Sequence, residues 1–512
     1  MSKHMSSGAR RVTNIVLATI STIILVAALI ALFIIPGPSS WVDSVQGTDD
    51  AMDQSVSPTQ AEMYCPAPMG LADTGTYGDS AFQATVGNLS TKARYAAFGS
   101  VYTSTVSALG SSSSNDVTLQ DTDLTDNADV KTGAQDVDGS RLMDTRMLQA
   151  SEGTGATGAI ASWADDGDLK GVSAATCVSP TLSQSFLLSG TATGTTQQLI
   201  VANPSTKPTT VDLSIWGSKQ AGKLTLSTQS SLSVPAEGES SLDLSASVSD
   251  QDALYVTVSS KETPIAAVVR TVVMDGLTSK GSDFALPLPA SSNASVIPSV
   301  SAGDEVNAYV FSRVDTSTAL SWITKQGLVH AKDVTVSAGK VEVVDLGKAP
   351  DNALGVMSTA EDKVWLSAKA TRSGESQQAD FALINAAASA KYSAVVIPDD
   401  VNAVISLANT SNSGRTVTVH AYSADGKDAG SEEITLGANA AQTLALDEFD
   451  GDGTAVKVLT LDDDSTKVVW NVRVGHDNLG NGKMAGLATI ESRALMPVTS
   501  HVWARSNPAI VR

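Results

Sequence analysis

The stretch that decides the fold is Leu199-Ile200-Val201-Ala202-Asn203-Pro204-Ser205, and it returns downstream as Ile405-Ser406-Leu407-Ala408-Asn409-Thr410-Ser411. Each is followed by an alternating run, with Val211, Leu213 and Ile215 apolar in the first and Val417, Val419 and Ala421 in the second. Polar residues separate them. Period two is the mark of a strand with one face buried. A short apolar run, a turn and an alternating strand therefore occur twice, and both copies read as β structure.

Later landmarks add a middle copy. Ser241-Leu242-Asp243-Leu244 aligns with Val343-Val344-Asp345-Leu346 and with Thr443-Leu444-Ala445-Leu446. Ala253-Leu254 aligns with Ala353-Leu354 and Ala455-Val456, and Arg270, Arg372 and Arg473 each close a hydrophobic strand. Trp216, Trp322 and Tyr422 end the second strand of each copy, with Gly217, Gly327 and Gly426 following. A repeat of about 100 residues built from short alternating strands predicts an immunoglobulin-like β-sandwich. A β-propeller, whose blades run to about 40–50 residues, is the minority alternative.

Outward from the repeats, the predicted organisation is a cytoplasmic tail over 1–11, a transmembrane anchor over 12–35 and a flexible stalk over 36–60. A cysteine-framed β domain over 61–190 follows, then sandwich repeats over 191–290, 291–392 and 393–503, and a tail over 504–512. The anchor is Val12 to Ile35, uncharged throughout and long enough to cross a bilayer as a helix. Lys3, Arg10 and Arg11 precede it and Asp43, Asp49 and Asp50 follow, which places the amino end in the cytoplasm and the body outside the membrane. Pro36-Gly37-Pro38 stops the helix and Trp41 suits the interface. A cleaved signal peptide would have a shorter apolar run and small residues at its end, where Leu32-Phe33-Ile34-Ile35 stands.

Beyond residue 35 the chain carries 33 − 3 = 30 basic and 54 acidic side chains, a net charge of −24. That balance argues against nucleic acid as a partner, since phosphates require cations. The lipid bilayer, through residues 12–35, and cell-wall polymer or other envelope proteins are the expected partners. Cys65 and Cys177 are an even pair without metal-ligand spacing, and an oxidising compartment predicts a disulfide.

Several features occur in one order: the anchor, Cys65-Pro66-Ala67-Pro68, Leu169-Lys170-Gly171-Val172 running into Cys177-Val178-Ser179-Pro180, then the Gly-rich stretch leading to Leu199 through Pro204. The set resembles an actinobacterial family of membrane-anchored or secreted proteins with a domain of unknown function (DUF5719-like), over roughly residues 60–500. The resemblance implies an envelope protein with a β-rich ectodomain. It brings no catalytic residues.

The chemistry-bearing candidates are sparse. Gly153-Thr154-Gly155-Ala156-Thr157-Gly158 matches a dinucleotide fingerprint, but Gln149 to Glu152 is a poor buried strand, and the segment reads as a flexible loop. Asp165-Asp166-Gly167-Asp168, Asp450-Gly451-Asp452-Gly453 and Asp462-Asp463-Asp464 lack the twelve-residue calcium loop and read as turns. His4, His330, His420, His476 and His501 form no HExxH or HxxxH pair, and no GxSxG elbow occurs. No catalytic residue, cofactor or metal is therefore expected, and the chain does not read as an enzyme. The residues with a ligand-contact reading are Trp216, Trp322, Trp365 and Trp470, which could stack on sugar rings, and Arg270, Arg372 and Arg473, which could meet anions or glycans. Trp365 and Trp470 are expected on one strand face. Packing and local pairing are the alternative for all seven. The expected function is that of an envelope scaffold or protein-interaction module, followed by a carbohydrate-binding or adhesion module and, last, an envelope hydrolase.

Overall fold

Leu199 to Ala202 is apolar at every position because both faces of its strand are covered. In the computed structural model, Leu199 and Val201 lie in the core shared with Val211, Leu213 and Ile215. Ile200 and Ala202 lie in a different core, formed with Met63, Tyr64 and Ile160. The expectation of one buried face concerns the alternating runs, not this strand. It holds for Thr209–Gly217, whose alternate residues face the core.

The structure describes residues 18–27, 52–56, 59–72, 83–110, 116–122, 130–449, 455–481, 483–495 and 500–504. The chain divides into two units. One comprises residues 1–57 and 498–512. In it, residues 18–27 are helical, and Met52–Val56 pairs antiparallel with Ser500–Ala504. That pairing corrects the stalk at its end and removes Ser500 to Trp503 from the last repeat. No helix among the described residues is long and apolar enough to cross a membrane. Most of the predicted anchor, Trp41, the Asp450 to Gly453 turn and His4 lie outside the described residues.

The other unit, Pro58–Pro497, is nearly all β, and its described residues form eight sheets of four or five strands, two of them joined by one shared strand. Its strands fall into four sets, spanning Gln60 to Thr176, Ser183 to Ala285, Ser292 to Asn385 and Tyr392 to Glu491. In each set the first, sixth, third and fourth strands form one sheet, here called the flank sheet, in that order. The fifth, second, seventh and eighth form another, the axial sheet. In the third set the sixth and seventh strands are continuous, as Gly355–Ser373, and the flank sheet of the fourth gains Arg493–Ala494. The cysteine-framed region is therefore a fourth copy with the same strand order. The aromatics Trp216, Trp322 and Tyr422 end the third strand of their copies, not the second. Antibody-type domains keep their sixth and seventh strands in one sheet. Here they lie in different sheets.

Successive copies pack sheet on sheet. The flank sheet of the first copy meets the axial sheet of the second. That of the second meets the third through Leu187 and Tyr255 against Tyr309 and Phe311. That of the third meets the fourth through Val296 and Met357 against Ala408 and Val469. The flank sheet of the fourth closes on the axial sheet of the first, where Ala96, Ala159 and Ala161 join its core. Eight sheets thus succeed one another in a closed ring, as in a propeller, but with interleaved strand order in place of one meander per blade.

The repeated asparagine locks each turn. Asn203 donates to the carbonyls of Lys207 (2.8 Å) and Pro235 (3.0 Å) and accepts from Ser205 N–H (3.0 Å). Asn409 donates to Ser413 (2.8 Å) and Gly437 (2.7 Å) and accepts from Ser411 N–H (2.9 Å). Both are fully buried. Asn409→Ala removes the partner of three half-buried backbone groups and is expected to lower stability by about 1–3 kcal/mol in chemical denaturation, with a similar loss for Asn203→Ala.

Candidate functional site

The eighth strands of the four copies, Gly171–Thr176, Thr278–Ala285, Ala379–Asn385 and Ala488–Glu491, are the inner edges of the axial sheets and touch in turn around one axis. Edge strands that converge without forming a common ladder leave N–H groups in need of partners. Two aspartates supply them. Asp283 accepts from Ala174 N–H (3.2 Å) and Leu383 N–H (2.8 Å). Asp380 accepts through Oδ2 from Val172 N–H (2.7 Å) and Leu487 N–H (2.9 Å). Together these bonds join all four copies. A Cβ on Gly171 would lie 2.5 Å from the Asp380 carboxylate, so glycine is what lets that strand approach.

Burial pushes both carboxyls well above the usual aspartate range, against the lowering effect of their backbone donors. Oδ1 of Asp380 has no hydrogen-bond partner among the described residues. Nearby, burial holds Lys369 down to about 8, with its ammonium 4.0 Å from the Phe381 ring.

At the carboxyl ends of these strands lies a pocket of about 370 Å³. Thr176, Ser179 and Gln184 line one side, Leu286 to Ala290 and Trp365 another, and Glu491, Ser492 and Arg493 a third. Glu491 and Arg493 are half-buried and are the only charged side chains of the lining among the described residues. Arg493 donates to the carbonyl of Cys177 (3.4 Å) and to the Ser179 hydroxyl, and burial holds it down to about 10. No ion pair of Arg493 occurs among the described residues. Burial raises Glu491 to about 7, against hydrogen bonding from Asn385. A carboxyl raised from 4.5 to about 7 favours the fold most below pH 4.5, and that advantage fades as pH rises to about 7. Glu491→Gln is therefore expected to remove a fall of about 1–3 kcal/mol from the stability profile between pH 4.5 and 7.

The seven candidate contact residues do not gather at one site. Trp470 is buried in the core of the fourth copy, its indole N–H 2.7 Å from the Ser393 hydroxyl. Trp322 is buried in the core of the third. Trp216 and Trp365 are half-buried in an aromatic cluster with Tyr255 and Phe311, beneath the Arg313 guanidinium. The expected common face of Trp365 and Trp470 is corrected: one faces the neighbouring copy and the other its own core. Sheets covered on both faces allow either orientation.

Two of the three arginines tie copies together, and Arg372 stays within its own. Arg270 donates to the carbonyls of Ala67 (3.2 Å) and Pro68 (2.7 Å) in the first copy. Arg473 reaches into the third copy and grips both oxygens of Asp304, at 2.7 and 3.0 Å. Arg372 meets the same carboxylate at 2.8 Å. Arg94 plays the corresponding part at the closing interface, pairing with Asp399 at 2.8 Å.

Cys65 and Cys177 form a disulfide. It explains part of the GxGxxG run, which is not a loop: Gly155–Ala164 is a buried strand. At Gly158 a Cβ would stand 2.7 Å from the Cys177 sulfur and 2.8 Å from the Tyr95 ring. The Asp165 to Asp168 segment is a turn, tied by Asp168 to Thr85 N–H at 3.0 Å. Asp463 is buried and caps its own turn through Lys467 and Val468 N–H, both at 2.7 Å. Among the described residues, no group of three His, Cys, Asp or Glu side chains is placed to hold a metal ion.

The sequence reading passed over the axial aspartates and the Glu491–Arg493 pocket. A signal for the former was present, since Asp283-Phe284-Ala285-Leu286 recurs as Asp380-Phe381-Ala382-Leu383. Glu491 and Arg493 carry no such repeat, and only the convergence of strands brings them beside Ser179 and Trp365.

No curated protein matches the chain. Among solved structures, a glycosyl hydrolase family 2 member from Bacteroides cellulosilyticus is 8% identical, with a TM-score of 0.09 over 66% of this chain and 36% of that one. A Streptomyces avermitilis alpha-L-rhamnosidase complexed with L-rhamnose is 9% identical, with a TM-score of 0.10 over 83% and 57%. The chain thus spans about a third of the first and somewhat over half of the second. A family model matches residues 131–447, from the fifth strand of the first copy into the fourth copy. With well over half its length matched, the chain belongs to the family of unknown function DUF5719.

Proposed function

We propose that the protein is an envelope scaffold or protein-interaction module, held in the membrane by residues 12–35 with its amino end in the cytoplasm and its ring outside. The observation that carries this reading is the ring itself. Four copies cover one another on both sheet faces, and Asp283, Asp380, Asp304, Arg270, Arg473 and Arg94 are spent on joining copies. Such a body presents a rigid surface, which suits the display of contacts to other envelope proteins or cell-wall polymer. The disulfide supports an oxidising compartment. The net charge of −24 beyond residue 35 supports a body that stays off anionic lipid and nucleic acid. Each copy reads as a β-sandwich, immunoglobulin-like in its two facing layers though not in its strand order.

The test is made on the full chain with a carboxyl-terminal tag, in cells of its own source. External protease is expected to remove the tag from intact cells, and mild crosslinking to recover the chain with envelope proteins or wall fragments. A tag protected until lysis, or a chain recovered without any envelope component, would overturn the reading.

A further inference from the structure

The pocket at the carboxyl ends of the four axial strands combines features that the joining of copies does not require. Arg473, Arg372 and Arg94 each meet an aspartate. Among the described residues, Arg493 meets only a carbonyl and a hydroxyl. A guanidinium has five N–H donors in a planar fork, and these two bonds engage two of them. Pro287, Leu288, Pro289 and Trp365 give the otherwise polar lining an apolar part. A half-buried cation and an apolar part lining the same cavity of about 370 Å³ suit a small-molecule site.

We propose that this pocket binds a small organic carboxylate, with Arg493 gripping the carboxylate group and the proline- and tryptophan-bearing wall covering an apolar or weakly polar body. The planar fork matches a carboxylate in bidentate geometry. A single guanidinium suits one negative charge better than the two of phosphate or sulfate. Glu491 sharpens that preference, because its own ionisation places negative charge beside any guest. All four copies contribute to the lining, so binding there contacts several copies at once. The proposal concerns this pocket alone and stands whether or not the ring serves as an envelope scaffold.

The test uses the purified full chain in mild detergent, with acetate and benzoate as probes and inorganic phosphate and sulfate as comparison arms. Binding is read from the fluorescence of Trp365 and from saturation-transfer NMR of the probe. Acetate and benzoate are expected to bind saturably, benzoate more tightly. Arg493→Met should weaken both at least tenfold, and Arg493→Lys, which keeps charge without the fork, should weaken them by a smaller factor. Ser492→Trp, which fills the pocket and leaves Arg493 in place, should abolish binding and covers the case in which the arginine variants fail to fold. No saturable binding by either readout would overturn the proposal, as would unchanged affinity in a folded Arg493→Met or Ser492→Trp chain. Phosphate or sulfate binding as tightly as the carboxylates would overturn the assignment of ligand class.

Discussion

Replacing Asp304 by alanine is expected to lower stability by about 3–5 kcal/mol, a loss that chemical denaturation of the full chain should record. Asp304 is fully buried and serves two guanidiniums. It also accepts the Ser301 N–H at 2.9 Å. Its removal leaves Arg473 enclosed without a counter-ion, and the cost of an unpaired buried charge exceeds the worth of the pair it replaces. Arg372 is more exposed and can turn to water, so Arg372→Ala should cost less, about 0–1 kcal/mol. A double change of Asp304→Leu with Arg473→Met should recover much of the loss, because both charges leave together. An Asp304→Ala chain as stable as the parent would show that the junction of the third and fourth copies is held by apolar packing alone.

Loss of the disulfide is the second large effect. Cys65 and Cys177 close a loop with a sequence separation of 112, and removing a constraint of that length is expected to cost about 4–5 kcal/mol in the chain-entropy model. The bond joins the end of the first strand of its copy to the residue after the eighth. Tyr64 and Val178 exchange two backbone hydrogen bonds beside it, at 2.8 and 2.7 Å. Its loss therefore loosens both the first copy and the wall of the axial pocket, where Cys177 and Ser179 stand. A Cys65→Ala/Cys177→Ala chain should unfold at clearly lower denaturant, and the oxidised parent should do the same on reduction. Identical unfolding of oxidised and reduced protein would refute this account.

Much of the fold was legible because period-two patterning is a local record of which side chains are covered. Val211, Leu213 and Ile215 show it, and so do Val417, Val419 and Ala421. The landmarks Asp243, Asp345 and Ala445 do lie at or near the fifth strand of their copies. The first copy escaped notice because its apolar strands are built from alanine and glycine, as in Gly155–Ala164, which packs against the disulfide and the fourth copy. Small residues there answer to close approach, and close approach leaves no periodic signature. The candidate site was less legible still. Tryptophans and arginines were singled out as rare, interaction-prone types, yet a residue type does not say which neighbour fills its reach.

The sequence by itself determined that the body is β, that it repeats, and that its cysteines could pair, because alternation, spacing and parity are properties of the chain read in order. Tertiary structure alone decided that the copies number four, that they close on one another, and that Asp283, Asp380, Glu491 and Arg493 meet around an axis. Those groups are separated by up to 210 residues (493 − 283), and their burial, charge state and partners arise only when distant strand edges converge and exclude water.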